Sequence, residues 1–157
     1  MEDPISTLEL NWKVREGGQN WSKVEYLDFI VDGQSVMGLV GGDFASCLGW
    51  MLPEANDAAL RRLLLEEPAD LPNNRRSLYL CPECGDLGCG GVTIEITQIA
   101  DTIVWRSFGY ENNYSDWVEF EGYENIGPFT FNAEQYRSIL ESSRLLSKER
   151  APKSDES

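Results

Sequence analysis

Three of the chain's four cysteines stand within one short run, Cys81-Pro82-Glu83-Cys84-Gly85 followed by Asp86-Leu87-Gly88-Cys89-Gly90. Cys-x2-Cys followed by glycine is the spacing of a zinc knuckle. The tight turn aims both sulfurs at one point, and glycine lets backbone amides approach them. A structural zinc takes four ligands. With no histidine in the chain and no second Cys-x2-Cys pair, Cys89 with Cys47 or Asp86 would have to complete the set. Two other uses stay open. Cys84 as a thiolate, with Cys81 or Cys89 as its resolving partner, would give redox chemistry. The helix that stabilises such a thiolate is missing, because Val92 to Ile99 reads as a strand. Small thiols also pack under a glycine-rich turn with no further role. The cofactor expectation is therefore none, or one structural zinc.

The second feature is an acidic, aromatic stretch. From Ser77 to Gln135 there are ten Asp and Glu against one basic residue, Arg106, with Tyr110, Tyr114, Trp117, Phe120 and Tyr123 spread among them. Carboxylates can occupy the places of phosphates on a nucleic-acid-binding protein. Tyr and Trp bury much area with few rotors and so make strong interface anchors. On this reading Glu111, Asp116, Glu119, Glu121 and Glu124 supply charge, and Tyr114 and Trp117 supply anchors, with the loop Gly109 to Ser115 as their place. The alternative is an acidic solvent face over a core that uses the aromatics internally.

The elements that must position these residues follow from periodicity. Leu8, Leu10, Trp12 and Val14 alternate with polar residues, as in a strand with one buried face. Val24 to Val31 and Ser35 to Val40 form a hairpin about Asp32-Gly33. Phe44 to Leu52 is apolar but irregular. Glu54 to Glu67 is a helix with Ala55, Ala59, Leu60, Leu63 and Leu64 on its stripe, stopped at Pro68. Strands follow at Leu78 to Leu80, Val92 to Ile99 and Thr102 to Phe108, the last two turning at Ala100-Asp101 with Ile94, Ile96, Ile103 and Trp105 inward. Trp117 to Glu121 alternates again, Val118 and Phe120 facing one way. A second helix is capped by Asn132, with Gln135 completing a capping-box spacing and Tyr136, Ile139, Leu140, Ser143 and Leu146 inward. The result is an α+β fold, a mostly antiparallel sheet of about five to seven strands packed on two helices. It forms a single domain over residues 1–148, with a disordered tail over 149–157.

Composition limits the function classes. At 157 residues and 41% apolar, one core needs no staple. Thirteen Lys and Arg against twenty-seven Asp and Glu give a net charge of -14, which repels nucleic acid and anionic membranes and favours a basic partner. The acidic start Met-Glu-Asp-Pro and the lack of a long apolar run point to a cytoplasmic chain. Histidine chemistry is excluded, and no phosphate loop, Gly-x-Ser-x-Gly elbow or dinucleotide fingerprint is present.

The stretch Leu78 to Phe131 carries the cysteine run, then Val104-Trp105, Phe108-Gly109-Tyr110 and Gly127-Pro128-Phe129-Thr130-Phe131. It resembles a family of small, uncharacterised bacterial proteins, some of them named oxidoreductase, a name that no nucleotide-binding motif supports here. In size, acidity and lack of a catalytic constellation the chain is also similar to bacterial immunity proteins, which block a toxin domain. That likeness implies a non-enzymatic binding protein acting on a basic toxin domain such as a nuclease, and it assigns no residues. The alternative is a small zinc or thiol protein working through Cys81, Cys84 and Cys89.

Overall fold

The computed structural model describes residues 5–19, 23–83, 90–112 and 117–150. The fold is α+β, with eight strands in two antiparallel sheets among the described residues. The first sheet joins β1 (Leu8–Arg15), β2 (Val24–Val31) and β3 (Gln34–Ser35) in that order. The second runs β4 (Ala45–Ser46), β5 (Arg75–Leu80), β6 (Gly91–Ile99), β7 (Thr102–Glu111) and β8 (Phe129–Asn132). Three α-helices among the described residues complete it: α1 (Val36–Val40), α2 (Pro53–Leu63) and α3 (Ala133–Arg150).

Both expected hairpins form. Asp32 and Gly33 take φ of 51° and 82°, the positive pair that a two-residue turn between Val31 and Gln34 demands. Ile99 faces Thr102 across the second turn, and Ile94, Ile96, Ile103 and Trp105 are all buried. The sheets close on aromatic contacts. Phe29 of β2 meets the Tyr79 and Trp105 rings edge-on at 5.9 and 5.3 Å, and Trp105 in turn meets Phe131 and Tyr136. α3 locks β1 in place, as the Gln135 side-chain amide donates to Leu8 O at 2.6 Å and accepts from Leu8 N at 3.2 Å. Asn132 caps α3 through Gln135 N at 3.0 Å, so the cap is as expected while the Gln135 side chain serves the strand edge.

Five local expectations change. The run Ser35 to Val40 is a strand only at Gln34–Ser35; Ser35 Oγ then accepts from Gly38 N at 3.0 Å and opens α1. α2 ends at Leu63 and not at Glu67. Leu65 has φ of 63°, and Glu66 N donates to Arg61 O as Leu65 N donates to Arg62 O, a Schellman closure without the usual glycine. On that helix Ala55 is exposed and Asn56 is buried, its Oδ1 accepting from Gly49 N. Trp117 to Glu121 makes one bridge, Glu119 to Tyr110, and is not a full strand. The second helix extends to Arg150, beyond the expected end at 148; residues 151–157 of the expected tail lie outside the described residues. Among the described residues no helix is long and apolar enough to cross a membrane.

Candidate functional site

One end of the larger sheet brings Gly90, at the close of the cysteine run, together with Glu119 of the acidic stretch. Tyr110, near the end of β7, exchanges two backbone hydrogen bonds with Glu119, 2.8 Å from its own N–H and 2.7 Å to its carbonyl. Its ring lies 6.3 Å from Phe44. Its hydroxyl fills the space where a Cβ on Gly90 would fall, only 1.9 Å away, and Gly90 has φ of 93°. Glycine at 90 is thus required twice, by backbone and by contact. Gly90 directly follows Cys89 in the chain, so this residue and Glu119 of the acidic segment meet the same tyrosine.

The other end of the cysteine run is also held. Arg15 of β1 binds Asp43 through two bonds, Nε to Oδ1 at 3.0 Å and Nη2 to Oδ2 at 2.7 Å, and reaches Glu83 with Nη1 at 2.8 Å. These carboxylates push the guanidinium pKa further up, Asp43 most. Both acids are exposed, so the value of this cluster is mainly geometric. It pins Glu83, two residues from Cys81, to the end of the first sheet.

The cysteines divide. Cys47 is 2% exposed, and burial raises its thiol pKa to about 12, away from the thiolate that a metal needs. Its N–H donates to Leu78 O, which sets it opposite Leu78, three residues and roughly 10 Å along the strand from Cys81. The strand register therefore does not bring Cys47 to Cys81. Cys81 is half-buried. Cys84, Asp86 and Cys89 lie outside the described residues. Among the described residues no group of three or more His, Cys, Asp or Glu could hold a metal.

The acidic residues divide as well. Trp117 is 65% exposed and Phe120 45% exposed, both large for a surface. Glu121 and Glu124 are exposed and Glu119 is half-buried. Two of these carboxylates also shape their own turn: Glu119 Oε1 accepts from Glu121 N at 2.9 Å, and Glu124 Oε1 accepts from Gly122 N. Tyr123 N to Phe120 O and Ile126 N to Tyr123 O tighten the segment further. Tyr114 and Asp116 lie outside the described residues.

Glu111 is placed differently from its expected surface role. It is 6% exposed and accepts from Arg75 Nε at 3.1 Å and from the Thr93 hydroxyl. Arg75, itself 3% exposed, also donates from Nη2 to Thr93 O and Ser107 O at 2.8 and 2.6 Å. Its guanidinium carbon lies 5.3 Å from the centre of the Phe120 ring. A basic residue that sequence reasoning did not single out thus lies beneath the acidic turn. The signal available was its place at the start of a strand, where a charge is read by default as solvated.

No protein-family model, curated protein or solved structure matches this chain.

Proposed function

We propose that this chain is a non-enzymatic, cytoplasmic binding protein that offers the turn 117–126 to a basic protein partner, most concretely as an immunity protein covering a basic toxin domain such as a nuclease. The observation that carries this is Trp117, 65% exposed beside Phe120 on a turn held by its own hydrogen bonds. An indole left in water costs solvation and offers interface area. Around it Glu119, Glu121 and Glu124 give a negative rim; Asp116 and Tyr114, expected to contribute charge and an anchor, lie outside the described residues. A net charge of -14 steers a basic protein toward that rim from a distance. Glu111 acts from below the turn and touches no partner.

The test is capture of a basic partner from the native host by the tagged full chain at low and physiological salt. Trp117→Ala should abolish capture, and Glu121→Gln should slow association and flatten its salt dependence. Unchanged capture by both variants would remove this turn from the interface. Elemental analysis of the same preparation tests the alternative, one zinc held through Cys81, Cys84 and Cys89: a stoichiometric metal that is lost in Cys81→Ser would favour it.

A further inference from the structure

The turn 117–126 lies over the outer face of the larger sheet, and three unusual local features meet beneath it. The first is the register shift between β6 and β7, where Ser107 takes φ of 58°. A non-glycine residue holds that conformation only when its surroundings require it, and bulges re-aim groups off the ladder. Here the re-aimed group is the Ser107 carbonyl, which accepts from Arg75 Nη2. The second is the buried pair itself. An ion pair removed from water is costly unless hydrogen bonds satisfy it, and Arg75 is held by Glu111, by both oxygens of Thr93 and by Ser107. The third is Gly109. A Cβ there would fall 2.6 Å from Val118 Cγ1, 3.1 Å from Phe120 Cδ1 and 3.2 Å from Glu119 O. The sheet has been left without a side chain where the turn comes down on it.

Each feature is unfavourable alone, and all three favour one placement of the same segment. We propose that Arg75 is a positioning residue for the turn: its guanidinium, fixed inside the sheet by Glu111, Thr93 and Ser107, holds the Phe120 ring and so presents Trp117, Glu121 and Glu124 in one fixed arrangement. The clamp is a cation against a ring face, the geometry at which a desolvated guanidinium is attracted to the ring quadrupole. The functional part rests on the basic-partner reading; the clamp does not. A turn already fixed before encounter binds without the entropy cost of ordering it.

The measurement is amide hydrogen exchange of the full chain, read at Tyr110 and Glu119, whose paired backbone bonds report whether the turn is docked. Phe120→Leu keeps the apolar bulk and removes the ring. Both amides should exchange about 2- to 30-fold faster, the range expected for loss of a cation–π contact, while the Ile96 and Trp105 amides keep the parent rate. Phe120→Tyr, which keeps the ring face, should also keep the parent rate at Tyr110 and Glu119. Gly109→Ala pushes on the turn from beneath and should accelerate the same two amides by at least as much. Parent rates in the Leu variant, or equal acceleration in the Leu and Tyr variants, would show that shape alone holds the turn and would overturn the clamp. Parent rates in Gly109→Ala would overturn the docking on which it depends. No partner enters this measurement, so a failed clamp leaves the Trp117→Ala capture test standing, and a failed capture leaves the clamp standing.

Discussion

Asp28 and Glu111 are both buried carboxylates, at 1% and 6% exposure, and they serve different parts of the molecule. Asp28 lies between the sheets. It accepts from Tyr79 Oη of β5 at 2.6 Å, from Ser35 Oγ of β3 and from Phe29 N beside it, with Lys13 Nζ at 3.9 Å. Its close donors are neutral and come from both sheets, so the group ties one layer to the other. Glu111 faces outward within a single sheet, and its close partners are Arg75 and Thr93. A full counter-charge satisfies it while leaving the flat guanidinium to carry Phe120. One buried acid assembles the core; the other prepares a surface.

The largest effect that separates them is expected on removing Asp28. Asp28→Ala strips the acceptor from two buried donors, Tyr79 Oη and Phe29 N, and from the half-buried Ser35 hydroxyl, and it should lower stability by about 3–5 kcal/mol, read as a fall in the urea midpoint at constant slope. All regions should lose protection together, because the two sheets part. A loss below about 1 kcal/mol would mean that the aromatic contacts alone hold the layers. Glu111→Gln keeps the shape but leaves Arg75 without its counter-charge, and about 2–3 kcal/mol is expected. Its signature should be local: amide resonances of 117–126 shift in the NMR spectrum while those of β1 and β2 stay in place. Equal movement in β1 and β2 would erase the distinction between the two acids.

The same contrast explains what the sequence could reveal. Period-two and helical patterns are set by neighbours along the chain, so both hairpins, the inward set Ile94, Ile96, Ile103 and Trp105, and the cap at Asn132 were legible, as was the α+β class. The alternation of Val118 and Phe120 was legible too, since both side chains meet the space above Gly109. What escaped depended on partners distant in sequence. Glu111 reads as a surface acid because nothing beside it reveals Arg75, thirty-six positions earlier. α2 ends earlier than its apolar stripe predicts because a leucine occupies the left-handed cap position, where propensity leads one to expect glycine. Cys47 reads as a fourth ligand by residue type, whereas the pairing of β4 with β5 sets it in the core.

Cys47 supplies a smaller probe of the interior around Asp28. Its folded thiol pKa, raised to about 12 by burial, exceeds the ordinary value of 9.0, so the unfolded chain releases this proton first. Stability is then full below about pH 9 and should fall by roughly 1.4 kcal/mol per pH unit as pH rises toward 12. Tyr79 and Tyr136, whose hydroxyls burial also raises, add their own loss only above pH 10. Urea titrations at pH 9 and 10 on the parent and on Cys47→Ala separate the thiol from the tyrosines. The variant should lose most of the slope in that interval, and an unchanged slope would assign it to other groups.

The smallest expected effect on stability is the one that tests the surface half of the comparison most directly. Trp117 is 65% exposed, so Trp117→Ala should change the free energy of unfolding by less than about 0.5 kcal/mol. A residue whose removal leaves the fold intact but abolishes partner capture is retained for what it meets outside the chain. Should the variant instead lose 2 kcal/mol or more, a scale typical of core truncation, the indole would be part of the packing that Glu111 and Arg75 support. The turn would then be an extension of the core, and the surface role would have to be sought elsewhere on the acidic face.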